Sequence, residues 1–375
     1  MILNVIVYTS EPQNINRLNL LKHPILQQLQ HYAKVLIYSA SEINTIDRNN
    51  LTLLLVLNDK RTVLLRNQFE DLPRPILFLT NEDSQNLSTL LEITTWLNSN
   101  SISSEILIGE PKEIKERIQH LERILSTGIK LKSQRIGIIK SPSSRLIASN
   151  VDYFLTKKRW GIDFVDIPIE YNPITEYTED YKVIRKEIPD RIDFYTPINS
   201  LLQTQELNGL AADLLKTPKK LQPSVIEAGN KLIEKGLSII YSRDPQSIFT
   251  MLVTQQLIGT NPTLVSPIQI DIKKNNLKLV TYPLDFKGIQ TMEKGSTVTV
   301  VKCGGSCLDQ FYVSTGTILN DFTETEKEQA LINISMDSSM KQFLKKPLGS
   351  HYILIPNNHR SIIEEFFLSN RCIRM

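Results

Sequence analysis

The segment Tyr241-Ser242-Arg243-Asp244-Pro245 sets a hydroxyl, a cation and a carboxylate side by side where the apolar run Leu237–Tyr241 gives way to a further apolar stretch. Asp244 suits the N-cap of a following helix and Pro245 its first position. Arg243 is then left to project into a cleft at the rim of an α/β sheet. Capping alone is the other account of Asp244. The loop Lys140-Ser141-Pro142-Ser143-Ser144 also joins a strand to a helix, where hydroxyls such as that of Ser143 and backbone N–H groups meet ligands; helix capping accounts for its serines nearly as well. Of the five histidines, at positions 23, 31, 120, 351 and 359, His351 stands apart. It follows the turn Pro347-Leu348-Gly349-Ser350 and opens a β-type run, so a tight turn can aim its imidazole into a site; a structural histidine is the alternative. Cys303 and Cys307 flank a Gly–Gly turn, but two thiols make an incomplete zinc site, and packing at a hairpin end is the expected role. With Cys372 they are read as free thiols. The phosphate-loop, dinucleotide, HExxH, GxSxG and paired CxxC signatures are missing.

The elements that must position these residues follow from hydrophobic period. Ile2–Tyr8, Val35–Ser39, Leu51–Leu57, Pro75–Leu79 and Glu105–Ile108 are short apolar runs between helical patterns, which predicts a parallel sheet with covering helices. Ile114, Ile118, Leu121 and Leu125 share one helix face after Pro111. A second α/β unit is predicted from strand Arg135–Lys140, a helix with Ile147, Val151, Phe154 and Lys158 on one face as far as Gly161, and strand Ile162–Pro168. Residues 178–235 read as mostly helical, including LNGLAADLL, before strand Leu237–Tyr241 and an apolar helix from Pro245 through Leu257. Beyond Gly259 the period changes to two. Thr263–Asp271, Leu277–Tyr282, Ser296–Lys302, Gln310–Gly316 and His351–Pro356 predict a mainly antiparallel β domain closed by the helix Ser361–Leu368. The expectation is two doubly wound α/β domains, 1–130 and 131–259, followed by a β-rich domain, 260–375.

Composition narrows the function. The chain has 375 residues, of which 41% are hydrophobic and 22% charged, enough for several cores. Lys and Arg number 43 against 40 Asp and Glu, and the formal charge of +3 is too small and too scattered for a phosphate-tracking groove, so nucleic acid is not the expected partner. No apolar run reaches the roughly 18 residues of a membrane span, and the start MILNVIVYTS lacks secretory-signal features. A cytoplasmic location, away from membranes, is expected.

Several segments, taken in order, resemble the sugar-isomerase family that includes L-fucose isomerase and L-arabinose isomerase. Arg135–Ile139 followed by Ser141-Pro142-Ser143, Leu146–Ser149, Val151-Asp152 and Asp166-Ile167-Pro168 is similar to the start of that family's second domain. The Tyr241–Asp244 segment and the helix through Gly259 resemble the region of its Cys-Glu-Gly-Asp motif. Gly304–Asp309 and Pro347–Tyr352 resemble its C-terminal β domain, where a Gly-Asn-His-His segment supplies a metal-binding histidine. The similarity covers roughly residues 131–370.

The resemblance implies aldose–ketose isomerisation with a divalent ion, usually Mn²⁺, held by two carboxylates and a histidine, with an acidic side chain shuttling a proton through an enediol. It places His351 on the ligand histidine, Ser350 on the asparagine before it, Ser242 on the motif's glutamate and Arg243 on its glycine. Asp244 matches the motif's final aspartate, which is not a ligand, and the second carboxylate aligns near Ser266-Pro267. Glu293, within Thr291–Gly295, resembles a Glu-Ser-Gly segment of some relatives and is the best relocated acidic group, ahead of Asp271 and Asp285. The candidate set is therefore Asp244 and Glu293 for catalysis, Arg243, Ser242, Ser350 and Ser143 for a small-molecule sugar, and His351 for Mn²⁺. Two functions follow: a sugar-binding or regulatory protein without metal-dependent isomerisation, or an active enzyme with substituted ligands or with metal-free chemistry on Asp244 and Arg243. A structural role unrelated to sugars is the third. The resemblance also implies a homo-oligomer, trimer or hexamer.

Overall fold

Alternate residues of the first strand feed two different cores. The computed structural model describes residues 1–8, 17–57, 68–80, 86–140, 142, 144–168, 193–213, 221–260, 262–281, 292–320, 323–324 and 330–375. Strands β1 (Ile2–Tyr8), β2 (Lys34–Ser39), β3 (Leu51–Val56), β4 (Ile76–Leu79) and β5 (Ser104–Leu107) form a parallel sheet in the order β2-β1-β3-β4-β5. Leu3, Val5 and Val7 join one cluster, with Ile25, Leu26 and Leu29 of α1 (Pro24–Gln30) and Ile114, Ile118 and Leu121 of α3 (Pro111–Leu131). Ile6 and Tyr8 join the opposite one, with Leu90 and Leu97 of α2 (Leu87–Ser99). A strand buried on both faces is apolar nearly throughout, hence the long apolar runs in the sequence; the buried polar residues Asn4 of β1 and Thr52 of β3 hydrogen-bond to each other at 3.3 Å.

By its internal contacts the chain divides into two compact units, Met1–Ile129 and Lys130–Met375. The second unit holds a parallel sheet, β6 (Arg135–Ile139), β7 (Asp163–Ile167), β8 (Gly209–Ala211) and β9 (Ser238–Ile240), in the order β7-β6-β8-β9. Its helices are α4 (Tyr153–Trp160), α5 (Tyr195–Thr204), α6 (Gln222–Glu234) and α7 (Pro245–Ile258). Two expectations change here. LNGLAADLL contains strand β8 rather than a helix: Gly209–Ala211 is buried throughout, and a Cβ on Gly209 would stand 3.1 Å from the Ser238 carbonyl of the neighbouring strand. Strand packing overrides the helical composition. Helix α4 begins at Tyr153, not near Ile147, because the Asp152 carboxylate accepts the Leu155 N–H and caps it there; Ile147 is 85% exposed. The predicted helix over 178–190 lies outside the described residues.

The same unit carries an eight-stranded mixed sheet, β14-β15-β11-β10-β16-β12-β13-β17, and β15 also pairs with β13. Its strands are β10 (Thr263–Asp271), β11 (Asn276–Thr281), β12 (Thr297–Gly304), β13 (Gln310–Ile318), β14 (Thr323–Glu324), β15 (Ala330–Met336), β16 (Tyr352–Pro356) and β17 (Ile373–Arg374). The extra pairing closes β15-β11-β10-β16-β12-β13 into a ring filled by Leu277, Leu279, Val298, Val300, Ile332, Ile334 and Leu354. Strand β15, absent from the sequence expectation, alternates buried Ala330, Ile332, Ile334 and Met336 with half-buried residues. All pairs are antiparallel except β13 with β17. Helices α8 (Met340–Lys345) and α9 (Arg360–Ser369) complete the unit.

Helix α7 packs on β8 and β9 and also on β12 and β16. Pro245–Thr254 and Leu257 are all buried, as a helix enclosed on every side requires. Among the described residues no helix is long and apolar enough to cross a membrane.

Candidate functional site

Parallel strands deliver their carboxyl ends to one edge of a sheet, and the order β7-β6-β8-β9 reverses direction between β6 and β8, the position where α/β sheets open a crevice. From that edge leave the loop after β6, Asp213 beyond β8, and Tyr241–Asp244 beyond β9. Asp244 has extended backbone and caps α7, its Oδ1 accepting the Ser247 N–H at 3.1 Å.

The other carboxylate oxygen is crowded with donors. Asp244 Oδ2 accepts the Ser247 hydroxyl at 2.6 Å, the Lys302 ammonium at 3.0 Å and His351 Nδ1 at 3.1 Å. Lys302 Nζ also donates to the Ser247 hydroxyl oxygen at 2.8 Å. Asp244, Ser247 and Lys302 are fully buried and His351 is 5% exposed. Burial alone would push the Asp244 carboxyl up; the Lys302 ammonium, the His351 imidazole and the Ser247 hydroxyl outweigh it and hold that carboxyl well below the usual carboxylate range.

Each partner arrives from a different element. Lys302 lies on the same face of β12 as Val298 and Val300, two residues beyond the packed ring interior. His351 immediately precedes β16, held by the turn in which Gly349 takes φ +98°, a conformation that favours glycine. The exposed Ser350 hydroxyl lies 3.4 Å from His351 Nδ1. The described residues just before α4 are tied to the neighbouring elements: Gln246 of α7 donates to the Ala148 carbonyl at 2.8 Å, and the Asp152 N–H to the Ser306 carbonyl beyond β12 at 2.7 Å.

Of the predicted residues, Asp244 and His351 are brought into contact. Arg243 and the buried Ser242 stand beside them at the edge of the sheet, Arg243 with its Nε 3.8 Å from Asp213 Oδ2. Glu293 is not brought there. It is exposed, in the turn before β12, where its carbonyl accepts from Ser296. β16 runs antiparallel to β12, with Val301 opposite Ile353 and Val298 opposite Pro356, so Glu293 and His351 lie toward opposite ends of that pair. Asp271 binds the Lys273 and Lys274 N–H groups in the β10–β11 hairpin, six residues, about 20 Å, along β10 from the Val265–Tyr352 pair. Ser143 and Asp285 lie outside the described residues.

Lys302 and Ser247 were not legible as site residues from pattern alone. The signal for Lys302 is its place in TVTVVKC, where a lysine inside a β-branched run needs a buried counter-charge. Ser247 stands three residues after Asp244 at the start of the helix.

This donor set does not suit Mn²⁺. His351 Nδ1 is taken by Asp244, Ser242 offers a hydroxyl where the family has a carboxylate, and both Asp244 oxygens are engaged; an ion bound to Asp244 in place of one of these donors, about 4 Å from the Lys302 ammonium, would meet a repulsion of roughly 8 kcal/mol at an effective dielectric constant near 20. Among the described residues no three His, Cys, Asp or Glu side chains gather to hold a metal. What the cluster offers is a fixed imidazole, oriented by a carboxylate, with an ammonium beside it. Cys303 and Cys372 are buried, each donating its S–H to the Leu308 carbonyl, at 3.5 and 3.6 Å, in the packing of the hairpin.

No family model and no curated protein matches the chain.

Proposed function

We propose that this chain is a carbohydrate-binding protein of the fucose and arabinose isomerase type in which an internal lysine–carboxylate pair stands where the ion would sit. Metal-dependent aldose–ketose isomerisation is lost on this reading. One observation carries it: the Lys302 ammonium lies 3.0 Å from the Asp244 carboxylate that also holds His351. The collinear segments from Arg135 to Tyr352 support the sugar class, with Ser242, Arg243 and Ser350 as the polar groups at the rim. The same reading carries division of residues 131–375 at Gly259 into a doubly wound domain and a β domain, assembly as a homo-oligomer, and residence in the cytoplasm.

A second reading is favoured by the His351–Asp244 hydrogen bond at 3.1 Å. A carboxylate that fixes one imidazole nitrogen prepares the ring for acid–base work, so metal-free proton transfer between neighbouring sugar carbons is the alternative. A panel of pentoses and 6-deoxyhexoses, assayed with Mn²⁺ and with EDTA, separates the two. Binding without ketose formation is the expected result; Mn²⁺-dependent ketose formation lost in His351→Ala would overturn the first reading, and EDTA-resistant turnover would favour the second.

A further inference from the structure

The opposite edge of the β6–β8–β9 sheet, where its strands begin, contains a cavity of 380 Å³, within the size range of small-molecule sites. It is separated from Asp244 by the length of α7, about 21 Å. Four carboxamides line it: Gln134, Asn208, Gln255 and Gln256.

Protein contacts fix how three of these amides are oriented. Asn208 Oδ1 accepts the Arg135 N–H at 2.9 Å, and Gln255 Oε1 accepts the Ser238 hydroxyl at 2.7 Å, so each has its NH₂ group left to offer. Gln134 Nε2 donates to the Lys130 carbonyl at 3.0 Å, which leaves its oxygen. Gln256 Oε1 is buried and has no hydrogen-bond partner among the described residues. Buried acceptors in native proteins are paired, so a donor from outside the chain is expected here.

The charges select the ligand class. The carboxyl-terminal ends of α6 and α7 both face this cavity through Glu234 and Gln255, and their dipoles disfavour an anion. The lining carboxylate, Glu234, is exposed and already interacts within the protein, and the inward amide NH₂ groups of Asn208 and Gln255 are donors that a cation would not approach. Neutral groups that each donate and accept fit two amide NH₂ groups and two amide oxygens, and Leu237 and Leu252 supply an apolar wall for carbon-bound hydrogens. We propose that this cavity binds a small neutral polyhydroxy compound, pairing neighbouring hydroxyls with the amides of Asn208, Gln255 and Gln256.

The test uses the full chain with ribitol and D-mannitol as probes, read by saturation-transfer NMR and by thermal shift. Saturable binding of at least one polyol at millimolar concentration is expected. Gln256→Leu, and Asn208→Asp, which keeps the acceptor for Arg135 N–H but removes the NH₂ group, should each weaken it about tenfold or more. Any part of the polyol binding that His351→Gln removes belongs to the sugar site proposed above; the part assigned to this cavity is the one that persists in His351→Gln and is lost when Gln256→Leu is added. Circular dichroism and melting temperature establish that each variant is folded. The proposal is overturned if neither polyol saturates, leaving water to complete Gln256, if ethylenediamine or sulfate binds in preference, or if folded Gln256→Leu and Asn208→Asp bind as the wild type does.

Discussion

Replacing Lys302 by Met removes the ammonium and leaves the Asp244 carboxylate enclosed, with both residues fully buried in the native protein. Asp244 would keep the Ser247 N–H, the Ser247 hydroxyl and His351 Nδ1, but lose its one obligatory cation. Breaking a buried ion pair on one side costs about 3–5 kcal/mol, and that loss is expected in the second unit. Trp160 reports it directly: its ring packs 5.0 Å from Phe249 of α7, and its Nε1–H donates to the Leu308 carbonyl. The other tryptophan, Trp96, lies in the first unit, so a Trp96→Phe background isolates the signal in urea titrations. Adding Asp244→Asn should recover about 2 kcal/mol of the loss, because asparagine still caps α7 and carries no charge to strand. Unfolding of Lys302→Met within about 0.5 kcal/mol of the parent, or a loss deepened rather than relieved by Asp244→Asn, would contradict a buried ion pair at this position.

The same carboxyl sets a pH dependence. Its folded value lies below its ordinary 3.8, so the unfolded chain binds the proton more readily; the contribution is full above about pH 4 and is lost as pH falls below it. Lys302→Met should flatten that slope in acid titrations of stability, and an unchanged slope would count against the pairing. Asp152→Ala removes the cap on Leu155 N–H and should cost about 1 kcal/mol in the same urea assay, whereas a neutral result would mean that α4 does not depend on it. Gly316→Ala would put a Cβ 2.5 Å from Ile334 Cγ2 and 2.7 Å from the Ser335 carbonyl, where β13 meets β15; a loss of about 1–3 kcal/mol is expected, and a stabilised variant would contradict the closed ring. Thiol labelling of the folded protein should modify Cys307 first, since Cys303 and Cys372 are buried and burial pushes the Cys372 thiol up to about 11; rapid reaction of all three would contradict this packing.

How much of this was legible beforehand depended on whether the information was local. The parallel strands are legible because burial on two faces demands nearly continuous apolar runs, as in Ile2–Tyr8 and Leu51–Val56, each interrupted by a single polar residue, Asn4 and Thr52. β8 was not, because three residues inside LNGLAADLL carry helical composition and become a strand only between β6 and β9. Asp244 and His351 could be singled out from the turn and cap chemistry around them. Their contact could not, since 107 residues separate them. Lys302 escaped because charge alternation is read along a chain, whereas its partner comes from α7, 58 residues away.

Titration of the purified protein with Mn²⁺, followed by electron paramagnetic resonance of the free ion, tests most directly whether an ammonium has taken the cation's place. The expected spectrum is that of unbound Mn²⁺ at every ratio, in the wild type and in His351→Ala alike. One ion retained per chain and released by His351→Ala would show that Lys302 yields to the metal, and would return the chain to metal-dependent isomerisation.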